Sequence, residues 1–302
     1  MILTCGEAVI DMLSAELADG ASGFRPVTGG AAVNCAIALS RLGQSVGFFG
    51  GMSNDTFGQF LMQEMQREGV DLSRISPVAQ PSTLAFVHPA GESQGFSFFD
   101  TDSAGRSLAV TMLPDLTGVQ ALVFGGISLI HRPAAGAFEA LMQMAGHDRL
   151  ILIDPNIRPA LIGEEEAGYR ERLQRMMAMA DIIKLSDEDI DWLHPDPPEH
   201  LLTGRAALVI HSHGAQGATL YSRHGAQHIP TSPVEVVDSV GAGDTLVAGL
   251  LASLFEQGIT TPAQLARTDM GTLNRALAYG IRAATYSVTR AGATPPTKKD
   301  LA

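Results

Sequence analysis

Lysine is nearly missing from this chain. Lys184, Lys298 and Lys299 are the only three among 302 residues, and arginine supplies the other 17 of the 20 basic side chains. None of the three follows a glycine. A phosphate loop ending in Gly-Lys-Ser/Thr is therefore excluded, and a nucleotide enzyme built from this chain must hold phosphates another way. Cysteine is equally scarce: Cys5 and Cys35 cannot staple a chain of this length, and no CxxC occurs. No GxGxxG fingerprint occurs either, which leaves a dinucleotide dehydrogenase without support. Positive charge is in deficit, with 32 acidic residues against 20 basic and a net charge of −12. That is the wrong sign for a nucleic-acid groove or an anionic membrane surface. Long apolar runs are lacking too. The stretches around Leu122–Ile130 and Leu246–Phe255 fall short of the ~20 residues that span a bilayer. The N-terminus has no basic leader segment and carries Glu7 and Asp11 where a signal peptide would be apolar. These absences predict a soluble, reduced, cytoplasmic protein with neither a nucleic-acid nor a membrane partner.

What is present is a large potential core: 45% of residues are hydrophobic and 17% charged, which excludes wholesale disorder. Short apolar runs at Ile2–Cys5, Val46–Phe49, Leu122–Phe124, Leu150–Ile153, Ile182–Leu185 and Leu208–Ile210 alternate with helical patterns at Ala32–Leu42, Thr56–Glu68, Ala135–Ala145 and Glu165–Ala178. That order predicts an α/β fold, a mostly parallel sheet with helices on both faces. The C-terminal third reads as paired strands near Ala218–Tyr221 and Gln227–Ile229, then apolar helices at about Gly243–Phe255 and Leu273–Val288. Met12–Thr28 and Ser82–Asp102 break the alternation. They read as extended strands forming a small antiparallel flap, with a turn at His88–Glu92.

The chemistry concentrates in Asp238-Ser239-Val240-Gly241-Ala242-Gly243-Asp244, which leads directly into an apolar helix. Small residues there admit a ligand close to the backbone, and a helix beginning there offers free N–H groups to an anion. An acid beside an anion site repels its ligand unless the carboxylate takes a proton from an attacking hydroxyl. An Asp that merely stabilises the helix dipole explains the local pattern equally well. A second segment tips the balance. Thr28-Gly29-Gly30-Ala31-Ala32-Val33-Asn34 opens an alanine-rich helix whose first turn carries an amide able to donate and accept, as sugar hydroxyls require.

Together the two segments resemble the N- and C-terminal signatures of the ribokinase-like (PfkB) carbohydrate kinases. The likeness runs the length of the chain. The segments Gly6–Asp11, Asp154–Arg158 and Lys184–Glu188 are most similar to the fructokinase branch. The resemblance implies one kinase domain over residues 1–302 in a three-layer fold, its lid formed by approximately 12–28 and 82–102. It implies Asp244 as catalytic base and Gly241, Ala242 and Gly243 as the anion hole. Asp11, Gly30 and Asn34 would hold the sugar. Arg158 and Asn156 would approach the nucleotide phosphates, and Ser212, Gly214, Gly217 and Asn274 would border the nucleotide. The family's magnesium-linked Asn-x-x-Glu reads Ser186-Asp187-Glu188-Asp189 here, leaving Asp187, Glu188 and Asp189 as candidates. The cofactors implied are ATP, Mg2+ and a monovalent cation such as K+, and the lid implies a homodimer. Fructose leads among the sugars. Alternatives are 2-keto-3-deoxygluconate, ribose or another ketohexose, less readily a nucleoside, or a non-catalytic sugar- or nucleotide-binding protein.

Other signals are set aside. His211 and His213 would share one face of a strand, but no third ligand is evident nearby. His224 and His228 read as solvated turn residues.

Overall fold

The short apolar runs all become strands of one sheet, because each is covered on both faces. The computed structural model describes residues 1–87, 96–194, 197–202 and 204–302. Its strands are β1 (Ile2–Cys5), β2 (Val9–Glu16), β3 (Ser22–Gly29), β4 (Val46–Phe49), β5 (Gly51–Ser53), β6 (Ser76–Val78), β7 (Thr83–Val87), β8 (Phe96–Phe99), β9 (Ala121–Gly125), β10 (Leu150–Asp154), β11 (Ile182–Ser186), β12 (Leu208–Ser212), β13 (Ala218–Ser222) and β14 (Gly225–Ile229). Its helices are α1 (Ala31–Arg41), α2 (Thr56–Arg67), α3 (Ala134–Ala145), α4 (Pro159–Ile162), α5 (Glu166–Ala178), α6 (Asp187–Leu193), α7 (Ala242–Glu256), α8 (Pro262–Arg267) and α9 (Met270–Val288).

The large sheet runs β14-β13-β12-β11-β10-β9-β1-β4. From β4 to β12 every neighbour is parallel, and β13 and β14 join antiparallel at the edge. Side chains alternate between two cores with the period of a pleated strand. Ile2, Leu150 and Leu152 pack with α1, α2, α7 and α9. Leu3, Cys5, Ile151 and Ile153 pack with α3 and α5 on the other face. Burial on both faces is why these strands read as unbroken apolar runs.

Helix α7 is wedged between α1 and α9 and is buried over most of its circumference. Two glycines set its distance from α9. A Cβ on Gly249 would lie 2.7 Å from Gly280 Cα, and one on Gly280 would lie 2.6 Å from Leu246 O. This close approach fixes where the N-terminus of α7 points.

The second sheet, in the order β3-β2-β7-β8, is the expected lid with one correction. It is mixed rather than antiparallel, because β2 pairs with β7 in parallel, while β2–β3 and β7–β8 are antiparallel. Both hairpins leave the main layer in the same direction, so their outgoing strands meet side by side. The lid also begins earlier than residue 12, since Val9, Ile10 and Asp11 already belong to β2 and are buried. The turn expected at His88–Glu92 lies outside the described residues. His228 is a second correction: it sits in β14, not a turn, with Nδ1 3.2 Å from Thr219 Oγ1. Among the described residues, no helix is long and apolar enough to cross a membrane.

Gly280→Val should overpack the α7–α9 contact and cost about 1–3 kcal/mol. Urea unfolding would show a lower midpoint; an unchanged midpoint would refute this account of the helix spacing.

Candidate active site

Ligands of open α/β sheets gather beyond the carboxyl ends of the strands, and the chain places its polar side chains there. Glu7 follows β1, Gly126 follows β9, Asn156 and Arg158 follow β10, and Lys184 lies near the end of β11. Two helices point their N-termini at the same space. Gly30, which precedes α1, has φ +93°, and a Cβ there would strike Glu7 O. Gly241, which precedes α7, has φ +72°, and its Cβ would lie 2.7 Å from Ala293 Cβ. Only glycine takes both the backbone angle and the close approach.

The resulting cleft, of about 270 Å³, is lined by Asp11, Gly30, Asn34, Asn156, Arg158, Gly241, Ala242, Gly243 and Asp244. Every sugar, phosphate and catalytic candidate from the sequence thus meets in one place. Asn34 Nδ2 donates to Asp244 Oδ2 at 2.9 Å across 210 residues of chain. Asp238 ties the loop before α7, accepting from Val240 N at 3.0 Å and Gly292 N at 2.8 Å. The Ala242 amide donates to Ser239 O at 3.2 Å, so of the expected anion hole it is the N–H already engaged. Asn156 adopts φ +46°, a left-handed conformation that asparagine tolerates better than most residues.

The cleft is dense in carboxylates. Burial pushes Asp11 up to about 7, helped by the nearby Asp244 charge. Asp244 is raised too, by burial, while the Asn34 hydrogen bond and the Lys184 and Arg158 charges oppose the shift. Glu7 rises to about 7, chiefly through burial, although Thr83 donates to it. At the floor, Asp154 and Lys184 form a buried ion pair at 3.1 Å.

Lys184 and Asp154 stood in the sequence only as ends of two family-like segments, with no site role assigned to either. The one lysine outside the C-terminal pair, embedded in the apolar run Ile182-Ile183-Lys184-Leu185, was the available signal. An uncompensated ammonium is too costly to bury without a partner.

A second cavity, of about 440 Å³, adjoins the first and is lined by Ser212, Gly214 and Gly217 with apolar Val234, Val236, Leu246, Ile281 and Val288. The two cavities share Ser239, Ala242 and Gly243. Asn274 is a correction. It lies on the α9 face that reaches this cavity at Ile281, but two turns earlier, roughly 10 Å along the axis, and does not line it. None of Asp187, Glu188 and Asp189 lines either cavity. Asp189 is buried and its carboxylate accepts from Ile157 N, Ser186 N and Ser186 Oγ at 2.7–2.8 Å. It therefore fastens the Asn156–Arg158 segment to β11.

A mostly parallel sheet between helical layers, with a small sheet as lid and a helix N-terminus at the cleft, is the ribokinase-like fold. The model of the pfkB family carbohydrate kinases matches residues 1–300, and the chain belongs to that family. It is 42% identical over 275 residues to a fructokinase of Rhizobium leguminosarum bv. trifolii, covering 89% of this chain and 84% of that one. It superposes on a fructokinase from Xylella fastidiosa with bound ATP at a TM-score of 0.91, with 30% identity, 99% of this chain and 96% of that one. A double mutant of the fructokinase from Vibrio cholerae O395, solved with fructose, ADP and potassium ion, superposes at 0.84 with 26% identity, covering 99% and 96%.

The raised Asp11 carboxyl makes a prediction about stability. The folded chain keeps that proton up to about pH 7, whereas an unfolded Asp loses it near 3.9. Between those values the unfolded state binds fewer protons, so this group's contribution to stability falls as pH rises. Asp11→Asn should therefore raise Tm by several degrees at pH 8 and by much less at pH 4. Equal shifts at both pH values would contradict the burial and repulsion inferred for Asp11.

Proposed function

We propose that the chain is an ATP-dependent sugar kinase acting on fructose, moving the γ-phosphoryl of ATP to a sugar hydroxyl. The observation that carries this reading is the junction of the two cavities at Ala242 and Gly243, with Asp244 in the next position. The polar cleft under the lid suits a polyhydroxylated substrate, and the apolar cavity beside α9 suits an aromatic base. Phosphoryl transfer between them must pass the N-terminus of α7.

In this reading Asp11 and Asn34 accept and donate hydrogen bonds to the sugar. Asp244, ionised and aligned by Asn34, takes the proton of the attacking hydroxyl. The Gly241 and Gly243 amides at the start of α7 stabilise the charge on the transferring group, and Arg158 and Lys184 add positive charge in a chain that has little of it. Positioning and charge neutralisation supply most of the rate in such transfers. The lid, with Asp11 and Phe98 facing the cleft, excludes water that would otherwise compete as acceptor.

Magnesium bound with ATP would supply neutralisation of phosphate charge. Of the three acidic candidates, Asp189 is filled by its three donors and Asp187 faces two histidines. Glu188, exposed in the first turn of α6, remains to reach the ion through water. A monovalent cation such as potassium would be held by backbone carbonyls of the Asp238–Val240 loop and the Arg290–Gly292 turn, which Asp238 joins.

The lid's outer side exposes Leu17 (49%), Phe24 (50%) and Phe99 (62%), and among the described residues its edge strands β3 and β8 each pair on one side only. Both features favour a homodimer through the lid. Light scattering should give twice the 31.8 kDa chain mass, and Phe99→Glu should halve it. A monomeric wild type would remove the dimer from the account.

The functional test is ADP release from MgATP over a panel of sugars, with Asp244→Ala in parallel. The expected result is turnover fastest on fructose, reduced about 10²–10⁴-fold in the variant with little change in KM. Turnover on another sugar alone would keep the reaction and replace the substrate. Turnover undiminished in the variant would overturn the mechanism.

A further inference from the structure

Outside the cleft, the parallel pairing of β11 with β12 brings three metal-ligating side chains together. Leu185 registers with His211 and Ser186 with Ser212, so Asp187, the residue after β11, sits beside the two histidines that flank Ser212. Asp187 Oδ1 is 2.8 Å from His211 Nε2 and 2.9 Å from His213 Nδ1. The three ligand atoms lie within 4.8 Å of one another, and the imidazole centroids are 4.0 Å apart. This is the third ligand that the sequence did not reveal.

We propose that Asp187, His211 and His213 form a binding site for a first-row transition-metal dication of the zinc class, distinct from the ATP-linked magnesium. Hydrogen bonding alone leaves the cluster unsatisfied. His211 Nε2 is buried and, although 2.8 Å from the carboxylate, does not point its ring N–H direction at it, so it makes no hydrogen bond. A buried polar atom without a partner is costly, and a cation shared with Asp187 would supply one.

His213 carries the outer support typical of a metal-bound imidazole. Its Nε2 is 3.0 Å from Thr219 Oγ1, which is in turn 3.2 Å from His228 Nδ1. When Thr219 donates to His228 and accepts from His213 Nε2–H, His213 Nδ1 presents its lone pair to the site. When the chain of donors runs the other way, Nδ1–H donates to Asp187. A cation selects the first arrangement.

Two imidazoles and one carboxylate favour zinc, nickel, cobalt or copper over magnesium, which prefers an all-oxygen shell. Ligand atoms of tetrahedral zinc stand roughly 3.4 Å apart, so Asp187 must move outward by about half an ångström on binding. Its side chain is 58% exposed and free to do so, with water completing the shell from that side. The site abuts the apolar cavity, since Ser212 and Gly214 line that cavity. A bound ion would thus pin the two strand ends that border it.

The test is calorimetric titration of chelator-treated full-length protein with Zn2+ in the presence of 5 mM Mg2+, with thermal melts alongside. The expected result is one equivalent bound at micromolar or tighter Kd and a Tm rise of several degrees. Asp187→Asn should weaken binding at least tenfold and His213→Gln more. Because His211 is largely buried, His211→Asn is included only if its circular dichroism matches wild type. Asp187→Asn, at an exposed position, keeps the test valid otherwise. Failure of wild type to bind one equivalent, or equal affinity in Asp187→Asn and His213→Gln, would overturn the proposal. Either result is independent of sugar phosphorylation.

Discussion

The structure turns on the confinement of Asp11 and Asp244 in one buried cleft. Both carboxyls lose water there, which drives both proton affinities upward, and the Asp244 charge raises that of Asp11 further. Asn34, Lys184 and Arg158 oppose that drift for Asp244. Burial thus raises the proton affinity of Asp244, while these three partners favour its ionised form. Strain of this kind has to be offset elsewhere. The offset lies in the apolar packing of α1, α7 and α9 on one face of the sheet, where nearly every inward side chain is fully buried.

Packing and chemistry are linked through the start of α7. The Gly249–Gly280 contact sets the helix position, Gly241 turns the chain into it, and Asp238 fastens the preceding loop to Gly292. The same three residues, Ser239, Ala242 and Gly243, then face both cavities. One helix end thus joins a polar compartment to an apolar one, and the lid closes the polar side with Asp11 supplied from β2. The near absence of lysine becomes intelligible here. In the proposed reading, backbone amides at a helix start do part of the work that a phosphate-loop lysine does elsewhere, and the one internal lysine lies beside them, 3.4 Å from where a Gly243 Cβ would stand.

Much of this was legible in the sequence because it is local. The strands of the parallel sheet are buried on both faces, so they stand out as apolar runs, and both helix starts carry glycine where the backbone demands it. What was hidden depends on tertiary register. The parallel β2–β7 pairing follows from how two hairpins leave the body, which no local pattern encodes. Helical period puts Asn274 on the correct face of α9 but says nothing of its height along the axis. Lys184 was concealed by its apolar neighbours, its partner Asp154 lying 30 residues away on the adjacent strand. Asp187 joins His211 and His213 only through the alignment of β11 with β12, so that cluster was invisible as a triad.

The central claim is that the buried Asp11–Asp244 pair must ionise for the sugar to be bound and activated. The most direct measurement is the pH dependence of kcat/KM for fructose at saturating MgATP, which reports the free enzyme's essential groups. The account predicts a rise of about tenfold per pH unit on the acid side, levelling off near pH 7 where Asp11 titrates. A profile flat from pH 5 to pH 8 would contradict it.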